Sequence, residues 1–178
     1  MQELELTQSA QAQALTLDWE TVYNELLPRV YNYFRYRGLE DVIAEDLTAQ
    51  TFEKAWRKRA SYRHDLAAFS TWVLRIAHNV AMDYLRTNGR QVSLDDDVEM
   101  NGGHIHPEET MMEQDEILRL RRLLAQLPPR EQELVALKYG SGLTNRTIAQ
   151  MTGLSESNVG TILHRVVQML RTQLKDKE

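Results

Sequence analysis

Along the first half of the chain, apolar residues return at three- and four-residue intervals, and each such run predicts a helix. Trp19, Val22, Tyr23, Leu26, Val30 and Phe34 line one face of a helix that starts near Asp18 and ends near Gly38, a residue suited to the left-handed closing conformation. The stretch DVIAEDLTAQTFEKAWRKRA contains neither Gly nor Pro and has Ile43, Leu47, Phe52, Ala55 and Trp56 as its apolar positions. Its last turn, Arg57, Lys58 and Arg59, places cations at the negative end of the helix dipole, so a second helix ends near Ala60. SYRHDLAAF breaks the period. A third run then carries Phe69, Trp72, Val73, Ile76, Ala77, Val80 and Tyr84 on one stripe. No segment alternates with the period of two that a strand requires. Residues 18–88 therefore read as a small helical bundle around one core.

The second half has the same period with sharper punctuation. Glu116 to Leu127 predicts a helix with Ile117, Leu120, Leu123, Leu124 and Leu127 apolar, stopped by Pro128 and Pro129. Arg130 to Tyr139 predicts a short helix ended by Gly140, Ser141 and Gly142. Two more helices follow, Asn145 to Thr152 and Ser155 to about Thr172. Counted from Asn145, Ile148 is the fourth position of a helix-turn-helix, Ala149 the fifth, Gly153 the ninth, Val159 the fifteenth and Ile162 the eighteenth. Each position has its own physical need. A small residue lets the helices approach, Gly admits positive φ at the turn, and branched residues wedge the second helix on the first. Thr144 and Ser155 can cap the two helices. In such a motif the second helix enters the major groove, and the residues off its buried stripe, Ser157, Asn158, Thr161, His164 and Arg165, can reach base edges or phosphates.

Charge refines this picture. The 178 residues carry a net charge of -5, which at first argues against nucleic acid. Counted by segment, residues 1–17 carry -2, residues 18–90 carry +1, residues 91–114 carry -7 and residues 115–178 carry +3. The acid is thus concentrated in QVSLDDDVEMNGGHIHPEETMMEQ, which has no Lys or Arg and no sustained apolar period. The chain divides into a tail at 1–17, a helical domain at 18–88, a flexible acidic linker at 89–114 and a helix-turn-helix domain at 115–174. The fold class is all-α, two small helical domains on one tether. With no cysteine, disulfides and thiolate metal sites are excluded. The N-terminus, acidic and glutamine-rich, resembles no export signal, and no run approaches about 18 apolar residues, so a cytoplasmic protein without a membrane segment is expected.

Three stretches in this order and spacing, AEDLTAQTFEKAWR at 44–57, FSTWVLRIAHNVAMDYLR at 69–86 and LPPREQELVALKYGSGLTNRTIAQMTGLSESNVGTILHRVVQMLR at 127–171, resemble the compact two-domain bacterial sigma factors of the extracytoplasmic-function group. The resemblance implies a subunit that binds core RNA polymerase and directs promoter-specific initiation, with no cofactor and no catalysis of its own. It implies that Asp46, Gln50, Glu53, Lys54 and Arg57 face the clamp helices of the polymerase, beside the aromatics Phe52 and Trp56. It assigns the second block to the melted minus-ten element. There Arg75, His78, Asn79, Met82 and Arg86 share the face opposite the core stripe, and Tyr62 or Phe69 in or beside the loop 61–68 can stack on a flipped base. It assigns the third block to the minus-thirty-five duplex, with Thr161, His164 and Arg165 at the usual contact positions. Gly160 and Ile162 stand where relatives commonly carry basic residues, which lowers phosphate charge and helix propensity. The acidic tether would imitate nascent RNA in a basic channel. Such factors are often restrained by an anti-sigma factor between the domains, although no residue here identifies one.

Two other readings fit fewer residues. A free-standing helix-turn-helix regulator would use the N-terminal bundle as a sensor or dimer surface. A metal-dependent nucleic-acid enzyme would use Asp95, Asp96 and Asp97 or His104 and His106, but no further ligands stand at metal-site spacing. No phosphate-cradling Gly loop and no nucleophile motif is present.

Overall fold

A computed structural model describes the backbone of residues 19–88 and 111–175, with side chains at 19–88 and 116–175. All regular elements among the described residues are helical. In the N-terminal unit α1 spans Trp19–Tyr36, α2 Asp41–Lys58 and α3 Phe69–Asn88, with one 3-10 turn at Arg59–Ser61. In the C-terminal unit α4 spans Met111–Ala125 and α5 Pro129–Val135; a π-helical turn at Ala136–Gly140 leads to α6, Asn145–Thr152, and α7, Glu156–Lys175. The Asp95–Asp97 run and the two histidines His104 and His106 lie outside the described residues.

Local chemistry sets most of the boundaries. Gly38 closes α1 with φ 76° and donates its N–H to the carbonyl of Arg35 at 3.0 Å. Pro129 occupies the first turn of α5, where its missing N–H is not needed. α4 starts at Met111, four residues inside the stretch read as tether, and stops at Ala125, two residues before Leu127. The segment 130–139 does not continue as one α-helix. After Val135 the backbone widens, so that the N–H of Ser141 reaches the carbonyl of Ala136, five residues back, at 3.0 Å. The buried Ser141 hydroxyl donates toward the carbonyls of Ala136 and Leu137 at 3.2 and 3.3 Å. Widened turns of this kind carry a local cost and recur at functional positions.

The N-terminal core is assembled from α1 on α2 and α2 on α3. Leu26, Val30 and Phe34 of the predicted α1 stripe are buried, whereas Tyr23 is exposed. On α3, Leu74 and Ala81 are also buried although they lie off the predicted stripe, while Phe69, Trp72 and Tyr84 are only half-buried. Around that end of the bundle the rings of Trp19, Phe69, Tyr62 and Trp72 meet at centroid distances of 4.9–5.6 Å, and Trp56 joins them against Trp19 at 5.0 Å.

The two units do not stand apart. α1 presents a second buried face, with Tyr33 and, just past the helix end, Arg37, to the C-terminal unit, and its principal neighbour there is the π turn. Gly140 lies so close to α1 that a Cβ would come within 2.9 Å of the Asn32 carbonyl oxygen and 3.0 Å of the Tyr33 Cα. Both units contribute to one apolar cluster, from Leu26 and Val80 to Leu137 and Leu163. Burying a Leu or Val side chain stabilises by about 1.5–3 kcal/mol, against about 1 kcal/mol for a neutral hydrogen bond, so apolar packing dominates this core.

Candidate nucleic-acid and polymerase interfaces

The helix-turn-helix is built as its spacing requires. Thr144 Oγ1 accepts from the N–H of Thr147 at 3.2 Å and Ser155 Oγ from the N–H of Asn158 at 3.1 Å, so each helix starts with a side-chain cap. Gly153 takes φ 73°, the left-handed turn between them. Ile148 and Val159 are fully buried, Ala149 and Ile162 half-buried, and the second helix is thereby fixed on the first. Leu163, Val166 and Leu170 complete the buried stripe of α7.

On the opposite side of α7, Ser157, Asn158, Thr161, His164 and Arg165 are all exposed. The structure thus places the five predicted recognition residues on one accessible face. They are not all idle: the Thr161 hydroxyl donates to the carbonyl of Ser157 at 3.0 Å, and the Arg165 guanidinium forms a short ion pair with Glu131 of α5. That acidic partner is absent from the periodicity of α7, since 34 residues separate the two. Gly160 is half-buried, and a Cβ there would sit 3.5 Å from Asn145 Nδ2, an ordinary contact.

The predicted polymerase set lies on the exposed side of α2, with Gln50 half-buried. Four of its five members are already paired along the helix: Gln50 Nε2 donates to Asp46 Oδ2 at 2.8 Å and Arg57 Nη2 lies 2.7 Å from Glu53 Oε1. Of the two aromatics expected beside them, Phe52 is buried and Trp56 is 48% exposed. Both rings meet α1, Phe52 against Tyr23 at 4.7 Å and Trp56 against Trp19, the first residue of that helix, at 5.0 Å. Arg59, outside the predicted set, lies 4.0 Å from the Trp56 ring centre.

On α3, Arg75, Asn79, Met82 and Arg86 are exposed, and Arg86 pairs with Asp83 at 3.1 Å. His78 is different. It is half-buried, with Nδ1 3.1 Å from Glu133 Oε1 of α5 and 3.4 Å from the Tyr33 hydroxyl. Burial pushes its pKa below the ordinary 6.5, Glu133 works in the opposite direction and Arg37 adds to the lowering. Neutral His78 can therefore donate from Nδ1 to the Glu133 carboxylate. Tyr62 is half-buried between Phe69 and Trp72, its hydroxyl donating to the carbonyl of Ala67 at 3.0 Å, and burial raises its pKa.

Sequence reasoning missed Glu131, Glu133, Arg29 and Arg37, which touch the predicted residues or bridge the two units. No local pattern marks them, because their partners are 34 to 112 residues away. Among the described residues no three His, Asp or Glu side chains gather as a metal site, and no helix is long and apolar enough to cross a membrane.

Known proteins match the chain over both units. Residues 22–91 match the family model for Sigma-70 region 2 and residues 117–170 that for Sigma-70, region 4. The chain is 28% identical over 175 residues to the ECF RNA polymerase sigma factor BldN of Streptomyces coelicolor, across 97% of its own length and 66% of the relative's. It therefore spans just under two thirds of that relative. It is 30% identical over 153 residues to a probable RNA polymerase sigma factor of Haemophilus influenzae, covering 76% of this chain and 78% of that one. With the ECF RNA polymerase sigma factor SigM of Bacillus subtilis it shares 25% identity over 159 residues, 88% of this chain and 94% of that one. In fold it is similar to the sigma factor RpoE in complex with the anti-sigma factor NepR from Bartonella quintana, with TM-score 0.69 and 24% identity over 90% of this chain and 99% of that one. It is likewise similar to CnrH in complex with the cytosolic domain of CnrY, with TM-score 0.68 and 19% identity over 97% and 99% of the two chains. With two sigma-70 regions in order and relatives of this kind along most of its length, the chain belongs to the sigma-70 family of RNA polymerase sigma factors, in its extracytoplasmic-function group.

Proposed function

We propose that this chain binds core RNA polymerase and directs it to promoters by reading two DNA elements with two helical units, without catalysing a reaction itself. The observation that carries this reading is the pairing, in one chain, of a capped helix-turn-helix with an exposed recognition face and a three-helix unit that matches region 2. In this reading Thr161, His164 and Arg165 reach the minus-thirty-five duplex, with Ser157 and Asn158 at the start of the same face. Arg75, His78, Asn79, Met82, Arg86 and Tyr62 meet the minus-ten element, the arginines on phosphates and Tyr62 on an unstacked base. Asp46, Gln50, Glu53, Lys54 and Arg57 meet polymerase. Exposed intrahelical ion pairs are worth only a few tenths of a kcal/mol, roughly 0.3–0.5, so exchanging them for intermolecular partners costs α2 little. The free-standing regulator reading has no observation in its favour.

One similar solved structure is the sigma factor RpoE in complex with the anti-sigma factor NepR, which supports an anti-sigma partner for this chain as well. Its place of work would then be the cytoplasm, where polymerase and DNA are. The test is transcription in a purified system of core polymerase and a genomic template library. New, defined start sites should appear only with the chain present. Tight, strongly salt-dependent binding of the chain alone to a palindromic duplex, with no redirected starts, would overturn the proposal in favour of a free-standing regulator.

A further inference from the structure

Arg165 of α7 and Glu131 of α5 form a layered pair. Their side chains face water very differently, that of Glu131 being 18% exposed and that of Arg165 68%. The carboxylate therefore lies beneath, on the protein side of the recognition face, and the guanidinium lies over it. Glu131 stands on a firm base: α5 buries Leu134 and Val135, and Gln132 Nε2 donates to the Leu124 carbonyl at 3.1 Å. α7 is fixed at both ends, by the Ser155 cap at its start and at its end by Arg119 of α4, which donates to the carbonyls of Gln173 and Leu174. Glu131 engages Nη2 of Arg165, and among the described residues Arg165 has no other partner. A guanidinium has five N–H donors, so most of its fork remains available.

What such a fork accepts depends on the charge behind it. A DNA phosphate brought onto Arg165 would come close to the Glu131 carboxylate, and like charges at that range repel. The major-groove edge of guanine offers O6 and N7 instead, both neutral acceptors, at a spacing that matches two N–H groups of a guanidinium. The carboxylate thus penalises the phosphate and spares the guanine. It also orders a long side chain before DNA arrives, so less rotamer freedom is lost on contact. The residue one turn earlier agrees with this. Thr161 gives its hydroxyl proton to the Ser157 carbonyl, so what it has left for DNA is an acceptor oxygen and a methyl group, neither of which binds phosphate.

We propose that Glu131 is a positioning residue of the recognition face: it withholds Arg165 from the DNA backbone and presents the free N–H groups to O6 and N7 of one guanine in the minus-thirty-five duplex. This inference rests on the sigma-factor reading above, in which α7 enters the major groove of that element. Selectivity is then supplied by a residue of α5 that need not touch DNA. Its cost is affinity, since the same carboxylate weakens attraction to every duplex.

The test uses holoenzyme assembled from core polymerase and the full chain, as parent, Glu131→Ala or Arg165→Ala, with circular dichroism verifying that the three chains fold alike. Binding is measured to a short duplex from the minus-thirty-five region of a promoter mapped by transcription. It is measured again with each guanine in turn replaced by 7-deazaguanine, which lacks the N7 acceptor, and on a random duplex. At one guanine the replacement should weaken parent binding roughly fivefold or more, and that of both variants less than about twofold. On the random duplex Glu131→Ala should bind more tightly than the parent, with a salt slope steeper by about 0.9, the equivalent of one added phosphate contact. A merely loosened helix would weaken binding to both duplexes and would not steepen the slope. The proposal is overturned if no guanine has such an effect in the parent, or if Arg165→Ala keeps it. It is equally overturned if the guanine effect and the salt slope of Glu131→Ala match the parent's. If no holoenzyme forms, the sigma-factor reading falls, while the free chains on the random duplex still decide the role of Glu131: equal salt slopes for parent and Glu131→Ala overturn it.

Discussion

Arg165 is exposed yet held by Glu131, so the recognition face carries its own competitor for DNA phosphate. Arg165→Ala should weaken binding to the minus-thirty-five duplex by about 1–3 kcal/mol and lower promoter-dependent transcription, while polymerase association stays intact. Glu131→Ala should do the opposite and raise duplex affinity; equal affinities for all three proteins in a fluorescence titration would remove Arg165 from the contact. A second residue-scale prediction concerns Gly160. It lies inside α7, its added Cβ would make only ordinary contact, and nothing about its φ requires glycine. Gly160→Ala should therefore stabilise the protein by about 0.5–1 kcal/mol, visible as a higher denaturation midpoint. The glycine's position was legible in the sequence, but the room for a Cβ beside Asn145 was not.

At the scale of elements, α2 shows how a polar face can be both ordered and available. Gln50 with Asp46 and Arg57 with Glu53 satisfy each other along the helix, and spacing alone puts these residues on one side. Asp46→Ala combined with Arg57→Ala should leave the helix folded and reduce affinity for core polymerase; co-purification equal to the parent's would take both residues out of the interface. The helix-turn-helix was the most legible element, because its caps, its left-handed glycine and its wedge residues depend on neighbours within 18 positions. The π turn was not legible. ALKYG reads as ordinary helix, and the widened turn forms where the buried Ser141 takes up carbonyls and α1 packs alongside. The split between buried Phe52 and exposed Trp56 was equally hidden, since one turn of helix separates their directions by only a few tens of degrees.

At the scale of the whole molecule, folding stability depends on pH through His78. The groups facing it are Glu133 from α5, Tyr33 from α1 and Arg37 just beyond α1, and the balance of burial, Glu133 and Arg37 lowers its pKa in the folded chain. In the unfolded chain His78 has its ordinary value near 6.5. The unfolded form then binds the proton more readily, so the contribution of neutral His78 to stability is complete above about pH 6.5 and erodes as pH falls through the lower folded-state value. The denaturation midpoint should fall on acidification in the parent and respond less in His78→Gln; equal pH dependence of the two proteins from pH 8 to pH 5 would contradict this.

The amino-acid sequence alone determined the all-helical character, the two-unit order, the recognition motif and the faces on which candidate contacts stand. Each of these follows from interactions between residues a few positions apart, through helical period, capping and turn chemistry. Only the tertiary structure decided that α1 is buried on two sides, that His78 turns to Glu133 rather than to solvent, and that Arg165 is shared with α5. Those outcomes arise from contacts between segments 34 to 112 residues apart. Periodicity records which side of a helix is apolar, but it carries no record of which distant surface will cover it, because that is settled by shape and by the space a residue such as Gly140 leaves open.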